Sequence, residues 1–268
     1  MTLLQERRYF TQHVARDVEA ERLFHQQAAL DPLTTRRLDR IGVGPGWRCL
    51  EVGAGQGSIA RWLAEAVAPR GRVVATDIDS RLLEHLNGRR IEVREHDITV
   101  DELEQNTYDL AHCRLLLMHL SEPERALKHM VSALRPGGWL VVEEPVFTEP
   151  LFVTREHPAA GAVERVYAAF REYFSSFMDL EFGSKVMQIV AGMGLDDFSA
   201  EQTRLYSRGG QPGPMTNMLT WELFRDALLE AGSVAPDDLD VAGAAMQDPS
   251  FIASSSFFFA VFARKPLA

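Results

Sequence analysis

The amino-acid sequence predicts an α/β fold in which helices cover both faces of a doubly wound, mainly parallel sheet. Between residues 47 and 145, short apolar segments of strand length alternate with segments of helical spacing, a pattern typical of parallel sheets. A glycine-rich turn follows the first strand, and an acidic residue marks the end of each of the next two. Because parallel crossovers bring the carboxyl ends of the strands to one edge, we expect a ligand to bind there.

An amphipathic helical pattern precedes the sheet. Phe10 and Val14 belong to an apolar stripe that recurs every four residues between charged side chains, which predicts a helix with one apolar face. Asp31 suits a helix cap, and Pro32 suits a first helical turn. We therefore predict a break at this dipeptide and a second helix over residues 33–40.

The predicted strands of the alternating region are short and apolar at their centres. They are Arg48–Val52, Val73–Asp77, Ile91–Arg94, Tyr108–His112 and Trp139–Glu144.

Composition points to an acidic soluble enzyme or binding module. The 268 residues include 28 Lys and Arg against 38 Asp and Glu, a formal net charge of −10, whereas nucleic-acid-binding proteins usually carry a basic surface. The two cysteines, Cys49 and Cys113, fit a reducing compartment.

The sequence shows no pattern typical of membrane insertion, secretion or metal binding. No run approaches the ~20 apolar residues of a membrane span, the first residues lack a signal-peptide pattern, and no metal-ligand spacing is visible. We therefore expect a cytoplasmic monomer or homodimer without metal, membrane or nucleic-acid partners.

The glycine-rich turn Glu51–Gly57 is the most informative segment. A strand ends, glycines follow at alternate positions and a helix begins. Glycines let the chain turn tightly and let a ligand approach the backbone, and the helix N-terminus beyond offers free N–H groups. Alone, the same pattern also fits a simple strand-to-helix connection.

Acidic residues at two further strand ends favour a ligand that contains adenosine. Asp77, followed by Ile78, can accept hydrogen bonds from both ribose hydroxyls. Asp97 can accept from an adenine amino group, while the Ile98 N–H can donate to a ring nitrogen. A nicotinamide or flavin dinucleotide is the alternative, since residues 55–60 match G-x-G-x-x-A, but that interpretation leaves the first glycine and the second acid unexplained.

These segments resemble the class I S-adenosylmethionine-dependent methyltransferases. The matching motifs are Glu51–Gly57, Asp77, His96–Ile98, Tyr108–Arg114 and Leu134–Leu140. The resemblance is specific over residues 45–145 and is greatest to small-molecule methyltransferases of the ubiquinone/menaquinone type and their relatives in bacterial natural-product pathways.

The resemblance implies a Rossmann-like, seven-stranded doubly wound sheet whose last strand is antiparallel. It implies an N-terminal helical lid over residues 1–44, an S-adenosylmethionine-binding core over 45–145, and substrate-binding helical insertions after strands five and six within 146–268. Strand six would then lie at 198–206 and strand seven at 254–264.

The resemblance also assigns roles at the cofactor. Gly53 and Gly55 would lie beneath its methionine and ribose parts, and Glu51 would interact with its amino group, through water. The backbone near Cys113 and Arg114 would contact that amino group directly.

Two residues are candidates for catalysis. Methyl transfer from a sulfonium depends mainly on positioning, and a base is needed only where the acceptor must lose a proton. His119 follows the fourth strand, in a stretch similar to the one that carries the active histidine of phosphoethanolamine methyltransferases, and can equally be a packing residue. Glu144, near the end of the fifth strand, is the second candidate, and a salt bridge is its alternative role.

The function predicted is methyl transfer to a small apolar or aromatic metabolite in bacterial natural-product biosynthesis. The alternatives are a non-methylating cyclase or pericyclase that retains the cofactor and, less favoured, an NAD-dependent oxidoreductase. Aromatic residues after the core predict either core packing or an apolar wall for the substrate: Phe170, Tyr173, Phe174, Phe177 and Phe182.

Overall fold

A computed structural model describes residues 16–149, 154–232 and 234–267. None of the helices in these ranges is long and apolar enough to cross a membrane. The predicted stripe at Phe10 and Val14 lies outside them. The helices are α1 (Arg16–Arg40), α2 (Ser58–Ala66), α3 (Pro123–Ala133), α4 (Ala160–Phe174), α5 (Phe182–Ala191), α6 (Pro212–Leu223), α7 (Arg225–Glu230) and α8 (Pro236–Ala245).

Seven strands form the main sheet, and two short strands form a separate ribbon. The strands are β1 (Arg48–Val52), β2 (Arg72–Asp77), β3 (Ile91–Glu95), β4 (Tyr108–Arg114), β5 (Leu134–Val146), β6 (Asp196–Thr203), β7 (Tyr206–Arg208), β8 (Ile252–Ser254) and β9 (Phe257–Arg264).

The main sheet has the strand order β3-β2-β1-β4-β5-β9-β6. Neighbours from β3 to β5 run parallel, whereas β9 runs antiparallel to both β5 and β6. The predicted fold class, a seven-stranded α/β sheet whose last strand is antiparallel, is confirmed. Strand order reverses between β1 and β4, and the crevice beyond their carboxyl ends is where such sheets bind ligands.

Apolar side chains cover both faces of the sheet, as parallel strands require. On one face, Leu38 of α1 and Leu63 of α2 belong to a buried cluster with the sheet. On the other, Leu127 of α3, Phe174 of α4 and Val186 of α5 belong to a second cluster. The helices thus fix the sheet from both sides and leave its carboxyl edge open.

A single helix, α1, occupies the place where the sequence predicts two. Pro32 lies inside it, so the predicted break is wrong. Asp31 does not cap a new helix, because its carboxylate accepts hydrogen bonds from Ser58 Oγ at 3.1 Å and from Arg114 Nη2 at 2.8 Å. These contacts hold the helix against the sheet and offset the backbone hydrogen bond that proline cannot donate.

The last two predicted strands differ in their bounds. The predicted strand at 198–206 is split, because β6 ends at Thr203 and β7 pairs with β8 in the ribbon. The predicted strand at 254–264 is split in the same way between β8 and β9. The Ser255 N–H donates to the Leu205 carbonyl at 2.7 Å, and the Leu205 N–H donates to Ser255 Oγ at 3.0 Å. These two hydrogen bonds between Leu205 and Ser255 lie where both segments leave the main sheet and enter the ribbon.

Candidate active site

A cavity of about 250 Å³ opens at the carboxyl ends of β1, β2 and β4. It is continuous from the turn after β1 to side chains of α1, α4 and α6. Of the predicted site residues, Cys113 and Glu144 do not line it. Those that do are Glu51, Gly53, Gly55, Asp77, Ile78, Asp97, Ile98, Arg114 and His119.

The turn after β1 has the backbone conformation that its glycines predict. Gly53 and Gly55 have φ values of +68° and +57°, a region that other residues rarely adopt. A β-carbon on Gly53 would lie 3.0 Å from the side chain of Leu116. The turn therefore presents bare backbone to the cavity.

Asp77, at the end of β2, joins two loops of the cavity. Its Oδ2 accepts a hydrogen bond from the Gly55 N–H at 2.9 Å, and its Oδ1 accepts one from the Asp79 N–H at 3.0 Å. Burial raises the pKa of this carboxyl group to about 6, against the opposing effect of those hydrogen bonds. The group is therefore mostly ionised at neutral pH, and ligand hydroxyls can donate to it. Ile78 beside it is 43% exposed and offers an apolar surface.

The segment after β3 presents groups that suit a purine. Asp97 accepts hydrogen bonds at Oδ1 from Thr99, at 2.8 Å from the N–H and 2.6 Å from Oγ1. Within the described residues, the Ile98 N–H donates to no protein group. His96 also lines the cavity, and neither of its buried ring nitrogens has a hydrogen-bond partner in the described part of the chain. Unused donors and acceptors at this place fit a ligand with its own polar edge.

Glu51 is paired with a histidine that sequence reasoning did not select. Glu51 and His112 are opposite each other on β1 and β4, and Oε2 of the first lies 2.6 Å from Nδ1 of the second. Both side chains are buried. The sequence shows only that each residue lies near the end of a predicted strand, and their pairing depends on strand order and register, which the structure supplies.

Glu144 of β5 holds the loop after β4 through hydrogen bonds to its backbone. Its Oε1 accepts hydrogen bonds from the N–H groups of Leu116 at 2.9 Å and Leu117 at 2.7 Å. The side chain is fully buried, and burial raises its pKa to about 7 against those hydrogen bonds. The structure does not bring Glu144 to the cavity, and its catalytic role stays a prediction. Cys113 is also fully buried.

His119 ends a single 3-10 turn, Leu117–His119, and lines the cavity. Burial lowers its pKa from 6.5 to about 3, and the positive charge of Arg22 contributes to the shift. The imidazole is thus neutral throughout the physiological range. The sequence-based expectation of an ordinary histidine pKa near ~6.5 does not hold in this environment.

The geometry of the core agrees with comparisons to known proteins. Residues 50–140 match a family described as a methyltransferase domain. This chain carries a methyltransferase domain. The resemblance to the class I S-adenosylmethionine-dependent methyltransferases is confirmed over these residues.

A curated relative of this methyltransferase domain is the demethylmenaquinone methyltransferase of Renibacterium salmoninarum. It is 36% identical over 121 residues, which cover 44% of this chain and 49% of the relative. The chain spans about a third to a half of the length of the curated relatives that it matches.

Two solved structures share the fold of the methyltransferase domain and its flanking helices. Phosphoethanolamine N-methyltransferase 2 of Haemonchus contortus, in complex with S-adenosyl-L-methionine, has a TM-score of 0.55 and 18% identity, over 85% of this chain and 51% of that chain. The 4+2 cyclase SpnF has a TM-score of 0.51 and 18% identity, over 90% of this chain and 83% of that chain.

Helix α1 lies outside the matched residues and covers the glycine turn of the methyltransferase domain. Gln56 Nε2 donates to the Ala20 carbonyl at 2.6 Å. Glu19 and Arg22 form a buried ion pair at 2.8 Å, and both line the cavity. Their spacing of three residues on a helix is a sequence signal for such a pair, but nothing in the sequence alone directs it toward the cavity.

The far wall of the cavity is aromatic with a polar margin. Of the five aromatic residues predicted for this role, Phe170 and Phe174 line the cavity, with their rings 4.4 Å apart. The other three do not line it. Further lining side chains come from the methyltransferase domain's C-terminal neighbours: Phe147, Tyr167, Met178, Thr216, Asn217, Thr220, Trp221 and Ser256.

Proposed function

We propose that this protein is an S-adenosylmethionine-dependent methyltransferase that acts on a small, largely apolar or aromatic metabolite. The observation that carries the proposal is that one cavity joins the glycine turn and the acids of β2 and β3 to an aromatic wall from α4 and α6. The match of residues 50–140 to methyltransferase domains supports the methyl-transfer part of the proposal. The predictions of a cytoplasmic enzyme without nucleic-acid or membrane partners fit this acceptor class.

The polar groups of the cavity suit S-adenosylmethionine. Asp77 accepts from the ribose hydroxyls, Asp97 accepts from the adenine amino group, and the unused Ile98 N–H donates to an adenine ring nitrogen. The resemblance implies that Glu51 contacts the amino group of the methionine part through water, and we propose instead that the carboxylate accepts from it directly. When bound, the cofactor supplies a methyl group that is already activated on a sulfonium.

The remaining cofactor contacts are made by backbone. The positive φ values of Gly53 and Gly55 keep the turn free of β-carbons where the methionine and ribose parts approach. We assign the predicted amino-group contact to the backbone near Cys113 and Arg114. Arg114 itself is held by hydrogen bonds to Thr34 and to Asp31, both of α1.

Positioning of the acceptor supplies most of the rate enhancement, since well-oriented reactants can gain ~7–11 kcal/mol. His119 lies in the same cavity with a neutral imidazole. A pKa of about 3 makes it a weak base, so its role is to accept a hydrogen bond from the acceptor's O–H or N–H and to receive the proton only as the methyl group is transferred. Glu144 holds the loop that carries His119.

The wall between α4 and α6 selects the acceptor. Phe170 and Trp221 can contact an aromatic or prenyl group, and Phe174 packs against the ring of Phe170. Asn217 and Thr220 are half-buried side chains that can bind a polar substituent. One relative is named a ubiquinone/menaquinone biosynthesis C-methyltransferase and another a demethylmenaquinone methyltransferase, and these names favour an acceptor of the quinone type.

A cyclase is the second candidate function. The shared fold with SpnF and the weak basicity of His119 both fit a reaction that proceeds by substrate alignment without proton removal. In that case the cofactor-binding residues Glu51, Asp77 and Asp97 would hold the cofactor, which would supply a positive charge and no methyl group. An NAD-dependent oxidoreductase has less support, because residues 50–140 match methyltransferase domains.

The test is incubation with methyl-labelled S-adenosylmethionine and a panel of phenols, hydroquinones and prenylated quinols, with RNA and DNA as further arms. We expect label in a small aromatic product and production of S-adenosylhomocysteine. Label in nucleic acid alone would contradict the proposed acceptor, and turnover of a polyene without release of S-adenosylhomocysteine would favour the cyclase. Asp77→Ala provides the matched control, since it should lose activity in every arm.

A further inference from the structure

The buried pair of Glu51 and His112 is the feature of the cavity that the proposed function leaves unexplained. The two residues lie side by side on the strands that flank the reversal in strand order. Nδ1 of the histidine is 2.6 Å from Oε2 of the glutamate, and their side chains are 0% and 4% exposed. Only the glutamate lines the cavity.

The surroundings of the ring define its hydrogen bond. A carboxylate only accepts, so Nδ1 carries the proton and donates it to Glu51. The other ring nitrogen, Nε2, is buried without a partner in the described residues, and an unprotonated nitrogen there avoids an unsatisfied N–H. On β5, the residue opposite His112 is Val141, which belongs to the apolar cluster on this face. Among the residues that the structure describes, the ring therefore makes one hydrogen bond, to the Glu51 carboxylate.

We propose that His112 is a positioning residue that fixes the Glu51 carboxylate to accept a hydrogen bond from a primary ammonium group of the bound ligand. This inference rests on the proposed function, in which that group is the amino group of S-adenosylmethionine. With Oε2 tied to the ring, the carboxylate cannot turn away from the cavity. The pair thus selects ligands that carry the amino group over otherwise identical ligands that lack it.

The experiment compares two ligands that differ in that group alone, S-adenosylhomocysteine and its desamino analogue, by calorimetry. A charged hydrogen bond contributes ~1.5–3 kcal/mol, so the parent should prefer the amino form by about 10- to 150-fold. His112→Leu should reduce the preference by about tenfold, and the backbone contact near Cys113 and Arg114 should account for any preference that remains. His112→Asn should retain most of the parent's preference, because the asparagine amide can lie where Nδ1 lies.

Two further variants make the test independent of folding defects. His112→Gln keeps a polar side chain but places its amide beyond the Nδ1 position, so it should lose the same tenfold of the preference even if His112→Leu does not fold. Adding Glu51→Gln to His112→Gln should change the preference no further, because the histidine acts through the glutamate. His157→Asn, whose ring contacts Asp248 outside the cavity, is the control and should bind like the parent.

The outcomes separate the inference from the proposed function. Equal loss of affinity for both ligands in the His112 variants, with the preference unchanged, would show a purely structural residue and overturn the inference while the cofactor assignment stands. Parent protein that binds neither ligand would overturn the proposed function and this inference with it. An unchanged preference of His112→Gln for the amino ligand would also overturn the inference.

Discussion

Arg37 of α1 lies 3.2 Å from Glu143 of β5, measured from Nη1 to Oε2, and neither side chain reaches solvent. Thr34 Oγ1 donates to the same carboxylate oxygen at 2.7 Å, and Arg37 also pairs with Glu201 of β6. Helix α1 is therefore tied to the sheet by charges that compensate one another. Because α1 covers the glycine turn, this anchoring also sets the shape of the cavity.

Arg37→Met should lower the free energy of unfolding by about 3–5 kcal/mol, because it leaves the buried carboxylate of Glu143 without its cation. Urea unfolding with an unchanged slope measures this effect. Arg36→Met is the control, since Arg36 is exposed and should change stability by less than about 0.5 kcal/mol. Adding Glu143→Met should recover much of the loss. Equal stability of the two single variants would show that the buried ion pair contributes nothing.

The sequence predicted local features well. The ends of β1, β2 and β3 follow apolar segments bounded by glycine or charge, and they lie within one residue of the predicted ends. Gly53, Asp77 and Asp97 could be assigned to one edge because parallel crossovers leave no other arrangement. Local pattern and topology together were sufficient for these residues.

Features that depend on contacts between distant segments could not be predicted. Pro32 lies within a helix because Asp31 is bound by residues 27 and 83 positions away. The Glu144 side chain contacts the loop after β4 and not the cavity, because backbone N–H groups of that loop need an acceptor. Its position in the strand alone does not reveal this contact. His112 was one histidine among eight until strand register placed it opposite Glu51.

Asp77→Ala should weaken binding of S-adenosylhomocysteine about 10- to 150-fold, the equivalent of one charged hydrogen bond. Only the ionised carboxylate accepts from both ribose hydroxyls, and its pKa is about 6 in the free protein. The parent's affinity should therefore rise with pH between about 5 and 7 and then level off. Calorimetry at several pH values measures both effects.

Asp77→Ala should lack the rise in affinity with pH that ionisation of Asp77 causes in the parent. Asp240→Ala, an exposed carboxylate that pairs with Arg225, should behave like the parent. Unchanged affinity in Asp77→Ala would contradict the ribose assignment.

Thr220→Trp should fill the acceptor side of the cavity. Thr220 lines the cavity from α6, so an indole there should raise KM for the acceptor by about tenfold or more while cofactor affinity stays unchanged. Glu222→Trp, two residues along the same helix and exposed, is the control. Steady-state kinetics with the best acceptor of the panel provides the measurement, and equal KM values in both variants would place the acceptor elsewhere.

Glu144→Gln distinguishes a positioning role from a catalytic one. The glutamine Oε1 can still accept from the N–H groups of Leu116 and Leu117, so kcat should remain within about threefold of the parent if the carboxylate only holds the loop, whereas a general base replaced by an amide should lose ~10²–10⁴-fold. Glu144→Leu should lose activity in either case, because two buried N–H groups lose their acceptor.

Glu144→Gln should also change how the free energy of unfolding depends on pH. The folded protein holds the Glu144 proton up to a pKa of about 7, against 4.5 for the ordinary group, so the folded state binds more protons between these values and stability falls as pH rises through them. Glu144→Gln should lack that fall, which amounts to roughly 3 kcal/mol over the interval. Denaturation curves at pH 5 and pH 8 for parent and variant give the difference.

His119→Ala should lower kcat by ~10²–10⁴-fold where the acceptor must lose a proton, and it should leave the dissociation constant of S-adenosylhomocysteine unchanged, because Asp77 and Asp97 bind that ligand. The folded-state pKa of His119 is about 3, so the ring is already neutral at pH 5. Protonation of this histidine therefore cannot produce a rise in kcat between pH 5.5 and 8.

His157→Ala, outside the cavity, is the matched control for loss of an imidazole and should retain the parent's kcat. A parent profile that rises near pH 6.5, and loses this rise in His119→Ala, would show that the histidine titrates at its ordinary pKa and that burial does not lower it. Full kcat in His119→Ala would mean that catalysis depends only on positioning by the aromatic wall and the cofactor site.

The low pKa of His119 also affects stability. Between pH 3 and 6.5 the folded state binds fewer protons at this residue than the unfolded state, so the contribution of His119 to stability must fall as the pH drops through that window. His119→Ala should therefore be less sensitive to acid than the parent.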